Sequence, residues 1–118
     1  MIIPKLLLQR LYTFSSLKNV GSSVQLSVKN RLSDVQLTGI ESICIDQNRL
    51  NADHIRLVIA GDQRVIKARQ VGPDNPLDFP LRQSVDILLD IPPLPLGKHK
   101  IEFQFDTAPF GRLVFDVE

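Results

Sequence analysis

The segment Lys98-His-Lys-Ile-Glu-Phe-Gln-Phe-Asp106 alternates without a break, with His99, Ile101, Phe103 and Phe105 on one side and Lys100, Glu102, Gln104 and Asp106 on the other. Successive side chains of a strand point to opposite faces, so a period of two marks a half-buried antiparallel strand. Its apolar face needs a second layer to cover it. The same period recurs in Val24, Leu26 and Val28 and in Val85, Ile87, Leu89 and Ile91; Leu113, Phe115 and Val117 close the chain in the same way. A further long run passes from Val35 to Ile45, and Gly39 within it predicts a bulge or bend.

Between these runs the punctuation is that of short strands. Residues 46–49 read as a hairpin turn, and Asn51 as the cap of a tight or helical turn over 51–54. Residues 55–60 and 65–68 read as strands joined by a turn at 61–64. Residues 5–13 read as an edge strand, with a helical turn as the alternative because Leu, Lys and Gln are good helix formers. Residues 14–21 read as a loop. Pro73, Pro76 and Pro80 are expected to keep residues 69–82 out of any sheet, since each proline lacks the ladder donor. That segment is expected to be a long ordered loop with Leu77, Phe79 and Leu81 turned toward the core. Pro92, Pro93 and Pro95 make residues 92–97 a rigid crossing between layers. Seven or eight short strands with a turn every ten or so residues predict an all-β fold, an antiparallel β-sandwich of jelly-roll or immunoglobulin-like type. Residues 1–118 are expected to form a single β-sandwich domain, because a chain of this length buries about two-thirds of its unfolded surface around one core.

The charge balance of 14 basic to 13 acidic residues, without a basic run, argues against nucleic acid as a partner. Cys44 is the only cysteine, which excludes an intrachain disulfide and fits a reducing compartment. The apolar run near the N-terminus is broken by Pro4, Lys5 and Arg10, too short for a membrane span and without a signal-cleavage pattern. A cytoplasmic location is expected, with no membrane partner.

Few residues offer chemistry. His54 and His99 lack cysteine or carboxylate neighbours at metal-ligand spacing. His99 reads first as a partly buried histidine with one hydrogen bond. Asp86, Asp90 and Asp106 line polar strand faces, where two carboxylates meet only across a ladder and act as a pair only if one is desolvated. Ser15, Ser16, Ser22 and Ser23 are turn formers without a nucleophile elbow, and Cys44 between Ile43 and Ile45 reads as a small core residue. The glycines are scattered and form no phosphate cradle. No cofactor and no metal ligand are expected. Phe79, Pro80, Arg82 and Phe110 fall in loops where polar residues would be usual, which makes them the candidate interface. Anchoring of those loops to the core is the competing reading.

The order Leu37-Thr-Gly-Ile-Glu-Ser-Ile-Cys-Ile-Asp46, Leu50-Asn-Ala-Asp-His-Ile-Arg-Leu57 and Leu94-Pro-Leu-Gly-Lys-His-Lys-Ile-Glu-Phe103 resembles the small β-subunit family of bacterial C-glycoside deglycosidases. The Leu11-Tyr-Thr-Phe-Ser-Ser-Leu-Lys-Asn19 start and the Val28-Lys-Asn-Arg-Leu32 segment are similar to the small N-terminal domain of some bacterial hydroxymethylglutaryl-CoA reductases. Either resemblance implies a β-sandwich that is not a complete enzyme by itself. The first implies a cover for a metal-dependent barrel subunit that holds the metal and the acid-base residues. The aromatic-rich central loop of that family is missing here, since residues 69–82 hold only Phe79.

The function that follows is a non-catalytic accessory or interaction domain that packs on a catalytic protein subunit, with a homo-oligomer as the other expected assembly. The alternative is a free-standing carbohydrate-binding module or small enzyme using Asp86, Asp90 and His99 as its polar site.

Overall fold

The computed structural model describes residues 3–61 and 63–118. Met1 and Ile2 of the apolar N-terminal run, and Asp62 of the expected 61–64 turn, lie outside the described residues. Among the described residues the fold is an all-β sandwich of ten strands in two antiparallel sheets, with one short α-helix and two single 3-10 turns. The helix is α1 (Lys5–Gln9), and the strands are β1 (Lys18–Val20), β2 (Ser23–Lys29), β3 (Val35–Ile45), β4 (Asn48–Asn51), β5 (Ile55–Ile59), β6 (Val65–Lys67), β7 (Leu77–Phe79), β8 (Ser84–Leu89), β9 (Ile101–Ala108) and β10 (Gly111–Val117). One sheet runs β1-β2-β8-β5-β6; the other runs β10-β9-β3-β4, with β7 also paired to β3.

The alternation seen in the sequence becomes rows of side chains across each sheet. In the first sheet Val24, Leu89 and Ile55 lie in register, as do Leu26, Ile87 and Leu57, and then Val28, Val85 and Ile59. In the second, Ile45, Ile101 and Val117 align, as do Ile43, Phe103 and Phe115, and then Ile40, Phe105 and Leu113. All of these residues are buried in one cluster between the sheets. Cross-strand apolar neighbours on one face are the stabilising unit of a sheet, and here they also form the sandwich filling.

β3 keeps its apolar residues inward at Leu37, Ile40, Ile43 and Ile45, a spacing of three, three and two. A strict strand would turn Ile40 to the face opposite the other three. Two register shifts against β9, at Leu37/Gly39 and Ile40/Ser42, absorb the extra residues. The first is the bulge that Gly39 led us to expect, and a Cβ there would meet Asp106 Oδ2 at 3.0 Å.

Three local expectations are corrected. Residues 5–9 are helical, and only residues 11–13 lie alongside β2, through a Tyr12–Val28 bridge and the Thr13 N–H to the Ser27 carbonyl. Pro4 precedes the first turn, Leu8 and Leu11 are buried, and Gln9 Nε2 donates to the Asp116 carbonyl at 2.8 Å while Lys5 pairs with Asp116 at 3.0 Å. The helix therefore shields β10, an edge strand that would otherwise present open backbone groups. Residues 14–21 contain β1, and residues 69–82 contain β7. Pro76 and Pro80 flank β7 without entering it, and as an edge strand it pairs on one side only, so the proline argument does not exclude it. Leu77 and Phe79 are buried as expected, whereas Leu81 is exposed.

Candidate functional site

Residues 92–99 cross from β8 in one sheet to β9 in the other and end in Gly97, Lys98 and His99. Gly97 has φ +121°, a conformation open to glycine and strained for other residues. His99 follows outside the strand, its side chain only 8% exposed. Its Nδ1 lies 2.5 Å from Asp46 Oδ2 and its Nε2 2.7 Å from the Pro95 carbonyl. Asp46 sits in the hairpin turn between β3 and β4, where it and Gln47 both have positive φ, as a two-residue hairpin requires. Its second carboxylate oxygen accepts the Lys100 N–H at 3.0 Å. His99 thus joins the β3–β4 turn to the proline-rich crossing.

Both neighbours of the imidazole are acceptors. A neutral ring has one N–H and satisfies only one of them, whereas the imidazolium donates to both. The Asp46 bond, and then the Pro95 carbonyl, accordingly raise the His99 pKa above 6.5. The same bond foremost, with the Lys100 N–H, holds Asp46 below 3.8. A raised imidazole stabilises the fold fully below 6.5, and that contribution disappears as pH climbs through the raised value. A depressed carboxylate contributes above 3.8, and its part is lost as pH falls through the depressed value. Both contributions are complete between 3.8 and 6.5. Urea unfolding of the wild-type chain is expected to weaken as pH is raised out of that window, and His99→Gln to abolish this slope. Identical slopes in the two proteins would remove His99 as its cause.

The crossing is also held from the other side. Asn19 Nδ2 donates to the Leu94 carbonyl at 3.0 Å, and the Leu94 N–H donates to Asn19 Oδ1 at 2.9 Å. Residues 12–19 and 94–99 together border an open groove of about 780 Å³, whose lining includes Phe14, Leu17, Leu94, Leu96, Lys18 and Lys98. Phe14 is 82% exposed and Leu96 fully exposed. The 12–19 segment is also tied down, because Ser16 Oγ accepts the Ser27 N–H at 3.0 Å.

The expected polar site does not converge. Asp86 accepts from Ser27 Oγ at 2.5 Å and Asp90 pairs with Arg56 at 2.8 Å, both on the outer side of the first sheet, while His99 is engaged with Asp46. Asp106 lies in a second groove of about 810 Å³, where Arg112 contacts it at 2.8 Å and Glu41 at 3.2 Å. The guanidinium holds the Asp106 carboxyl below its usual range. Among the described residues no group of three or more His, Cys, Asp or Glu is placed to hold a metal ion, and no helix is long and apolar enough to cross a membrane.

Of the candidate interface residues, Phe79 is 5% exposed and belongs to the core. Pro80 and Arg82 are exposed, and Phe110 is half-buried in the β9–β10 turn. Pro80 and Ala108 share a small hollow at the far end of β9 from His99, about 25 Å away along an eight-residue strand. The groove residues Phe14, Leu96 and Asn19, and the His99 partner Asp46, escaped the sequence reading. An aromatic in a serine-rich turn and a leucine between Pro95 and Gly97 were the available hints.

No curated protein matches the chain. The family model of the hydroxymethylglutaryl-CoA reductase N-terminal domain matches residues 7–118, nearly the whole sequence, and the chain belongs to that family.

Proposed function

We propose that the protein is a non-catalytic β-sandwich domain that packs on the catalytic part of a reductase, whether that part is on the same polypeptide or on a partner subunit. The observation that carries this reading is the match of residues 7–118 to an N-terminal domain of that enzyme family. The state of the polar residues supports it: Asp86, Asp90 and His99 are each engaged with a different internal partner, an arrangement suited to holding a scaffold. A single cysteine and the absence of a basic run accord with a cytoplasmic protein whose partner is another protein.

The test is reconstitution with the catalytic reductase polypeptide of the same source. Calorimetry is expected to show saturable 1:1 binding, and the isolated chain to show no reductase activity. A chain that ignores the catalytic polypeptide but gains thermal stability from sugars would instead be a carbohydrate-binding module. Binding to an isomerase-like barrel in place of the reductase would restore the deglycosidase-type assembly.

A further inference from the structure

We propose that the groove between Phe14 and Leu96 is where this domain docks, and that its occupant is an apolar segment carrying acidic residues on the catalytic reductase part. This inference rests on the accessory reading above and gives it a surface. Phe14 and Leu96 are among the most exposed apolar side chains of the described residues, and they line one groove from two separate chain segments. Exposed apolar residues that occur singly are ordinary, but this pair lines one groove together with Leu17, Leu94 and Ile101.

Both segments are already held in place. Leu94 is clamped by Asn19 through two hydrogen bonds, Pro95 by His99, and Ser16 by the Ser27 backbone. A surface ordered before binding loses little conformational freedom on association, which favours affinity. Leu96 lies between two of these ties, so its exposure is imposed by the loop.

Charge selects the partner. Lys18 and Lys98 line the groove and have no ion-pair partner among the described residues; Glu118 is the one acidic residue in the lining. A second copy docking through a two-fold axis would set the patch against itself and bring these lysines toward their own copies. An acidic, apolar segment meets the same lysines with opposite charge, which speeds encounter and fixes register.

The experiment measures binding of the full chain to the catalytic reductase polypeptide, with size-exclusion light scattering of the chain alone. Phe14→Asp and Leu96→Asp are each expected to weaken binding by about tenfold or more, as central anchors do. Val65→Asp, at the opposite edge of the first sheet, should leave affinity unchanged. The doubly substituted Lys18→Glu, Lys98→Glu chain should bind more weakly and lose much of the salt dependence of the wild type. Wild-type affinity in both Phe14→Asp and Leu96→Asp would overturn the groove as the docking site while leaving the accessory role standing. Failure of the wild-type chain to bind would instead overturn the accessory reading itself. A wild-type dimer that Phe14→Asp converts to a monomer would assign the groove to a second copy and overturn the acidic occupant.

Discussion

Replacing Phe103 with alanine is expected to lower the free energy of unfolding by about 3–5 kcal/mol, the usual range for truncating a fully buried phenylalanine. Phe103 is 1% exposed and lies at the centre of the second sheet, between Ile43 on β3 and Phe115 on β10. Its ring stacks on Phe115 with centroids 4.8 Å apart and meets Phe105 at 5.6 Å and Tyr12 at 6.2 Å. Tyr12 belongs to the segment beside β2, so Phe103 also ties the two sheets together. Removing the ring takes away its transfer energy and leaves a cavity that strands fixed by their ladders cannot collapse to fill. Against a total stability of about 5–15 kcal/mol, a loss of this size removes a large share. The measurement is the urea midpoint at constant slope. Val114→Ala, on the outward face of β10, serves as the control and should shift stability by no more than about 0.5 kcal/mol. A Phe103→Ala chain as stable as that control would mean that the aromatic cluster is not the centre of the core.

Phe103 was legible from the start, because the period of two in residues 98–106 put it on the inward face before any neighbour was known. What the period could not supply was which strand lies beside which. Register between β9 and β3 depends on two bulges, and only the one at Gly39 left a mark in the residue types. β7 and β1, three residues each, are too short for alternation to register, and their pairing is decided by the strand next to them. The helix at residues 5–9 was undecided for a related reason: five residues give a helical period little room, and the edge of β10 that the helix covers is more than a hundred residues away. The groove was least legible of all. Its lining comes from residues 12–19 and 94–99, and each segment is ordinary until the Asn19–Leu94 hydrogen bonds bring the two into one surface. The histidine itself was expected to hold one hydrogen bond, and it holds two because Asp46 arrives from a turn more than fifty residues earlier in the chain.

Asn30 carries the other large effect, and nothing in the polar stretch of residues 30–34 between β2 and β3 distinguishes it from an ordinary turn residue. It is 1% exposed, with its side chain at the junction of two loops. Nδ2 donates to the Phe79 carbonyl at 2.6 Å and the Ser33 carbonyl at 2.7 Å, and Oδ1 accepts the Leu32 N–H at 3.0 Å. Its backbone adds the Gln83 carbonyl and the Arg82 N–H as partners. The neighbours fix which way the amide points, since two carbonyls demand the nitrogen and one N–H demands the oxygen. Asn30→Ala therefore strands the buried Phe79 carbonyl and removes the partner of the part-buried Ser33 carbonyl and Leu32 N–H. The expected loss is about 2–4 kcal/mol, because an unsatisfied buried group carries its full desolvation penalty. Asn30→Asp separates this account from simple loss of packing, since the shape is nearly conserved. The introduced carboxylate keeps the Leu32 acceptor but sets negative oxygen against the two carbonyls, which raises its pKa in the folded state. An acid whose folded pKa is raised binds more protons folded than unfolded, so this variant should lose stability as pH rises from the normal carboxylate range through the raised value. The wild-type chain has no such group at this position. Urea unfolding of both proteins across the acid range decides the matter: an Asn30→Asp chain with the wild-type pH profile would show that the two carbonyls do not depend on the amide.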